Sequence, residues 1–115
     1  MRLKTEIWIK AYLRRCVVQG AQAFVVRHGD DDAGAVFLKI NRLDGTAFLY
    51  GPAPAGLAEI ALDRQWIGMG RAGGMSEAEA DTFLSRETSF DSDLWIIEVE
   101  DRKGRHFLGD DLMTA

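Results

Sequence analysis

The apolar positions between residues 5 and 19 recur at helical spacing. At 100° per residue, Trp8, Ile9, Tyr12, Leu13 and Cys16 fill one continuous face. Lys10 and Arg14 lie away from it, and Arg15 less cleanly so. Thr5 is the expected N-cap and Gly20 the expected stop. The period then shortens to two. "AFVVRH" (23–28) sets Phe24 and Val26 on one face, "AVFLKIN" (35–41) sets Val36, Leu38 and Ile40 together, and "AFLY" (47–50) follows. The joining stretches "GDDDAG" and "RLDG" are short, which predicts antiparallel neighbours in a meander, with Gly45 at positive φ. "GPAPAG" (51–56) breaks the pattern, residues 57–63 suit a single helical turn, and "RQWIGM" (64–69) predicts a fourth strand.

Residues 76–87 predict a second helix. Ser76 and Glu79 have capping-box spacing, and Glu77, Glu79 and Asp81 favour the positive end of the helix dipole. Ala80, Phe83 and Leu84, with Glu87 beside them, make a narrow inner stripe. "LWIIEVE" (94–100), the turn "DRKG" and "RHFL" (105–108) predict a terminal hairpin. The start of that ribbon is apolar on both faces, so something covers both; "EVE" then alternates as if one face had reached water.

Together these elements predict an α+β fold in the order αββββαββ. It has a mainly antiparallel sheet of five to six strands with two helices on one face, in a single domain over residues 1–115. The expected core is Trp8, Ile9, Leu13, Phe24, Val26, Val36, Leu38, Ile40, Trp66, Phe83, Leu84, Trp95, Ile97 and Val99. A free edge of the meander or of the hairpin is expected to let a second copy or another protein add to the sheet.

Charge narrows the function classes. Residues 1–28 carry six basic and one acidic side chain, whereas residues 76–115 carry four and eleven. Phosphate contact needs a continuous cationic surface, so nucleic acid is not an expected partner. No apolar run approaches the roughly 20 residues that cross a bilayer, and Lys10, Arg14 and Arg15 interrupt what would be a signal-peptide core. A single cysteine makes no internal disulfide. The expectation is a cytoplasmic protein, without membrane attachment, cofactor or metal.

Candidate chemistry is sparse. Gly68, Gly70 and Gly73 match G-x-G-x-x-G, but the helix cap at Ser76 follows the glycines instead of lying among them, so a flexible loop is expected. Glu98 and Glu100 share one strand face, with a spacing that would suit a metal or an acid/base pair. The favoured expectation is a solvated face, with Glu100 paired across the hairpin to Arg105. The aspartates of "HGDDDAG" lack the alternation of a calcium loop. His28 and His106 would make a base pair only if the fold joined them. Cys16, on the apolar helix face, reads as a buried, inert thiol.

The runs "IWIKAYLRR", "AFVVRHGDDDAGAVFLKINRLDG", "LYGP" and "FDSDLWIIEVEDRKGRHFL" resemble a family of small bacterial proteins, domain of unknown function 1491. The resemblance covers nearly the whole chain, least clearly residues 52–75. It implies one compact domain with this element order and brings no activity with it. Residues that carry it include Asp32, Gly34, Lys39, Asn41, Arg42, Asp93, Trp95, Glu98, Glu100, Asp101 and Arg102. Two functions are therefore weighed. One is a non-catalytic interaction or adaptor module, whose candidate surface is Lys39, Arg42, Glu98, Glu100, Asp101, Arg102 and His106. The other is a small metal-assisted hydrolase or nuclease using Glu98, Glu100 and His106, which needs those three in one concave pocket.

Overall fold

Helical period becomes helix and strand period becomes sheet, but the neighbours are not all those of a simple meander. The computed structural model describes residues 3–54 and 64–113, so the turn expected at 57–63 lies outside the described residues. Helix α1, Thr5–Val18, buries Trp8, Ile9, Tyr12 and Cys16, with Leu13 partly buried at its flank. Its N-cap is Lys4, not Thr5. Thr5 is already committed: its hydroxyl donates to the Gly34 carbonyl at 2.9 Å and accepts from Arg64 Nη2 at 2.6 Å. The orphan amides of Thr5 and Glu6 are met instead by the carbonyls of Asp32 and Asp31. Gly20, at φ 87°, ends the helix as expected.

The strands are β1 (Gln22–Arg27), β2 (Val36–Asn41), β3 (Thr46–Pro52), β4 (Trp66–Met69), β5 (Met75–Ser76) and β6 (Trp95–Glu100). Helix α2, Glu77–Phe90, lies between β5 and β6, and a 3-10 turn, Gly109–Asp111, follows β6. The capping box at the head of α2 is formed: Glu79 N–H donates to Ser76 Oγ at 3.1 Å, and Ser76 N–H to Glu79 Oε1 at 3.3 Å. The six strands form one sheet in the order β1-β6-β2-β3-β4, with β5 also paired to β3. All pairings are antiparallel except β2 with β6. The α+β class with a mainly antiparallel sheet is therefore as expected.

Three expectations are corrected. First, β1 and β2 run antiparallel but are not neighbours, because β6 lies between them. The "GDDDAG" loop arches over the start of β6. Asp30 N–H donates to the Asp93 carbonyl at 2.9 Å, and Trp95 Nε1 to the Asp30 carbonyl at 2.8 Å. A Cβ on Gly29 would stand 2.2 Å from the Asp93 carbonyl oxygen, and one on Gly34 would stand 2.6 Å from it. The crossing therefore needs glycine at both ends of the loop. Short loops usually join neighbours, but this one spans a strand that arrives later in the chain.

Second, the helices cover opposite faces. Val36, Leu38, Ile40, Trp95, Ile97 and Val99 share a cluster with α1, whereas Phe37, Leu49, Leu94 and Ile96 share one with Ala80 and Leu84 of α2. The central strands β2 and β6 are apolar on both sides and need cover on both. The doubly apolar "DLWII" signalled this.

Third, residues 105–108 form no strand. Their polar groups are taken elsewhere. Arg105 N–H goes to Asp101, Tyr12 donates to the His106 carbonyl at 2.7 Å, and Arg15 donates to the Phe107 carbonyl at 2.7 Å. The segment instead crosses the α1 side, burying Leu108, and reaches β4, where Leu112 bridges Trp66.

The core contains most of the expected residues, with Leu13 and Phe83 partly buried at its margin. Phe24 and Val26 are the exceptions, 43% and 54% exposed. They point away from α1 on β1, the edge strand, and α2 lies over β2 and β3 instead.

Candidate functional site

Lys39 lies in the central strand β2 and is 3% exposed. Alternation sends Val36, Leu38 and Ile40 towards α1, so Phe37, Lys39 and Asn41 point towards α2. The parallel register places Glu98 of β6 directly beside Lys39. On α2, Glu77 and Asp81 stand one turn apart and face down onto it. The Lys39 ammonium lies 2.8 Å from Asp81 Oδ1, 3.0 Å from Glu77 Oε1 and 3.3 Å from Glu98 Oε1. Asn41 Nδ2 donates to Glu77 at 3.1 Å and to Glu98 at 3.4 Å.

An ammonium has three N–H donors, and three carboxylates surround this one. Burial alone pushes the Lys39 pKa down. The hydrogen bonds to Asp81 and Glu77 and the charge of Glu98 outweigh it, and the net shift is upward. The side chain is thus held protonated, hydrogen-bonded to two carboxylates and ion-paired with the third. It serves as an ionic clamp fastening α2 to the sheet, a role opposite to that of a nucleophilic or basic lysine, which needs a lowered pKa. The expected wet face of Glu98 is corrected accordingly, since its side chain is only 16% exposed and ion-paired. The sequence signal for this cluster was present in Glu77 and Asp81, which share a helix face, but their role in favouring the helix dipole explained them without it.

From the clamp a cleft of about 550 Å³ opens towards the sheet edge. Leu84, Ser85 and Thr88 of α2 form one wall, Ile96 and Glu98 the floor, and Val26 and Arg27 of β1 the far side. This cleft is the part of the sheet that α2 leaves uncovered.

The other candidate residues are dispersed. Asp101, just past β6, is buried and holds Arg105 at both oxygens, 2.8 Å to Nη2 and 3.0 Å to Nε, while Oδ2 also accepts the Arg105 amide at 2.8 Å. The Arg105 hydrogen bond keeps the Asp101 carboxyl below its usual range. Arg105 is therefore paired with Asp101, and the expected pairing with Glu100 is corrected. The side chains of Glu100 and Arg102 make no hydrogen bond or ion pair with the described residues. Arg42 donates to Thr46 Oγ1 and to the Gly73 carbonyl, both at 2.9 Å, and lies over the Phe48 ring, stapling the glycine-rich loop. Those glycines follow an antiparallel strand and precede β5, so they do not open a helix.

His106 is on the other side of the sheet, edge-on to Tyr50 and below Tyr12. Its Nδ1 accepts the Leu108 amide at 2.9 Å, and burial lowers its pKa. Glu98 and His106 thus stand on opposite faces, and the trio a hydrolase would need does not converge. His28 stacks on Trp95 at the start of β6, beyond the opposite end of that strand from His106, so the two histidines do not meet. Among the described residues no three His, Cys, Asp or Glu side chains form a group suited to a metal ion. No helix among them is long and apolar enough to cross a membrane. Cys16 is buried, and burial raises its thiol pKa, in keeping with a packed thiol.

No curated protein matches the chain. Solved structures do. A crystal structure of a DUF1491 family protein from Caulobacter crescentus CB15 is 38% identical, with a TM-score of 0.80, over 99% of this chain and 100% of that one. An NMR structure of a DUF1491 family protein from the same organism is 39% identical, with a TM-score of 0.80, over 99% of each chain. A solution structure of a protein from A. tumefaciens is 38% identical, with a TM-score of 0.74, over 87% of this chain and 86% of that one. The family model described as "Protein of unknown function (DUF1491)" matches residues 3–109, and the chain belongs to that family.

Proposed function

We propose that the protein is a non-catalytic interaction module that receives an extended segment of another polypeptide along β1. The observation that carries this reading is the exposure of Phe24, Val25 and Val26 on β1, whose outer edge pairs with no strand among the described residues. Natural edges are usually blunted by charge, proline, a β-bulge or a covering element, because free N–H and C=O groups recruit further strands; β1 has a bulge between Val25 and Arg27, yet its apolar side chains are left exposed. The opposite edge is partly occupied, since Leu112 bridges Trp66 and Met113 N–H donates to the Trp66 carbonyl at 2.7 Å. On β1 three consecutive apolar side chains remain in water beside a cleft. Strand addition would pair the backbone and cover them at once.

The candidate polar residues support this reading by their occupations. Lys39, Arg42, Glu98 and Asp101 are engaged in internal bonds that hold the frame. The test compares baits in capture from cell extract, the wild type against Phe24→Lys and Val26→Lys. Both positions are exposed, so both variants should fold. A polypeptide held by the wild type, lost by both variants and protecting β1 amides from hydrogen exchange is the expected result. Identical capture by all three baits would refute the role of β1.

A further inference from the structure

We infer that the cleft between α2 and β1 binds a small zwitterion, a molecule with a carboxylate at one end, an amine at the other and an apolar spacer between them. This goes beyond the proposed pairing along the outer edge of β1 and does not depend on it. The cleft volume of about 550 Å³ lies within the usual range for small-ligand sites, about 300–1,000 Å³. It has a cationic end, an apolar middle and an anionic end, each built by a different part of the fold.

The cationic end is Arg27. Phe24 lies opposite Glu98 and Val25 opposite Ile97, so strict alternation would send Arg27 to the α1 side. The β-bulge between Val25 and Arg27 inserts Val26. Arg27 therefore falls opposite Ile96 and lines the cleft together with Val26. Bulges re-aim side chains in this way and are over-represented beside active sites. The re-aimed guanidinium is under-used. Its Nη2 donates to the Ser92 carbonyl at 3.0 Å, its Nε is buried without a partner, and no carboxylate among the described residues pairs with it. A guanidinium engaged by one neutral oxygen is suited to a carboxylate, whose charge-assisted bonds are stronger than those of a neutral acceptor.

The anionic end is the Lys39 cluster. Three carboxylates surround one ammonium, an excess of two negative charges, and Glu100 adds another on the same face of β6. Asp81 is the accessible member. Its side chain is 60% exposed, Oδ1 holds Lys39, and Oδ2 accepts no hydrogen bond from the described residues. An ammonium group there meets a free oxygen and the local excess of charge, whereas a simple anion is repelled by it. The two ends of the cleft therefore call for opposite charges on one molecule. Between them Leu84 and Ile96 offer apolar surface to methylene groups. Ile96, beside Arg27, and Glu98, beside Lys39, are two residues apart on β6, which sets the charged groups of the ligand about 7–10 Å apart.

Titration of the isotope-labelled protein with ε-aminocaproate, caproate and hexylamine, followed by amide chemical shifts, tests this. The expected result is saturable binding of ε-aminocaproate with a Kd of about 0.1–1 mM, with shifts centred on Arg27, Asp81, Ser85 and Ile96. Caproate and hexylamine, which each satisfy one end, should bind at least about tenfold more weakly. Arg27→Gln should weaken ε-aminocaproate at least about tenfold. Ser85→Trp, at an exposed position on the α2 wall, should close the cleft while leaving every charge in place. A dispersed amide spectrum shows that each variant is folded. Absence of saturable ε-aminocaproate binding, or binding indifferent to both Arg27→Gln and Ser85→Trp, overturns the inference. Equal affinity for caproate or hexylamine overturns the assignment of a zwitterion. Neither result bears on capture through Phe24 and Val26, which tests the β1 reading separately.

Discussion

Replacing Lys39 with methionine keeps the length and buried stem of the side chain and removes its charge. The cost follows from what is left behind. Removing one partner of a fully buried ion pair costs about 3–5 kcal/mol, mostly the penalty of the stranded charge. Here the burden is uneven. Glu77 and Asp81 are 42% and 60% exposed and turn back to water. Their loss is therefore that of surface pairs, about 0–1 kcal/mol. Glu98 is stranded in the floor of the cleft, with Asn41 Nδ2 at 3.4 Å as its remaining donor. The net destabilisation is placed at about 2–3 kcal/mol. With an unfolding entropy of about 2.1 cal/mol/K per residue over 115 residues, the melting temperature falls by about 8–12 °C. Urea unfolding at pH 7, followed by circular dichroism, gives the free energies. Adding Glu98→Leu to Lys39→Met removes the stranded charge and should restore at least about 1 kcal/mol, since an apolar replacement of a buried pair is often neutral. A single variant within about 0.5 kcal/mol of wild type, with no recovery in the double, would show that the cluster does not clamp α2 to the sheet.

Two further outcomes follow from the same frame. Gly29→Ala drives a methyl into the backbone of Asp93 and Leu94, which cannot yield as a side chain would. A loss of at least about 2 kcal/mol is expected in urea unfolding, and a change under about 0.5 kcal/mol would mean that the loop does not cross β6 so closely. His106 has a folded pKa below its ordinary 6.5 because burial disfavours the charged ring. The fold therefore favours the neutral form. Its contribution to stability is complete above about pH 6.5 and is lost as pH falls from there through the folded value. The stability difference between wild type and His106→Gln should be constant above pH 7 and shrink below about 6.5; a difference flat from pH 8 to 5 contradicts the burial argument.

Periodicity marked where helices and strands lie, because amphipathic spacing is a local property of the chain. Both helices follow from it, and so does the capping box at Ser76, which is satisfied within four residues. The failures share a different origin. Whether β1 neighbours β2 depends on β6, nearly 70 residues further on, and nothing in "GDDDAG" except its two flanking glycines hints at a strand passing beneath. Residues 105–108 have strand chemistry, but α1 and Asp101 claim the groups a ladder would use. Phe24 and Val26 alternate like core residues. Exposure is decided by which strand lies at the edge, and edge position is a property of the whole sheet.

The candidate site divides in the same way. Lys39, Asn41, Glu98 and Asp101 stood out in the sequence, and the fold uses each of them. Their roles were not legible, since the clamp joins residues 39, 77, 81 and 98 from two strands and a helix. By itself the sequence determined both helices, the strands β1 to β4 and β6, the fold class, the packed cysteine and the double-sided apolarity of β6, all set by neighbours a few residues apart. Only the tertiary structure decided that the helices take opposite faces, that a lysine sits among three carboxylates, and that the apolar β1 lies at the sheet edge. Each of these depends on contacts between distant segments, which local spacing does not encode.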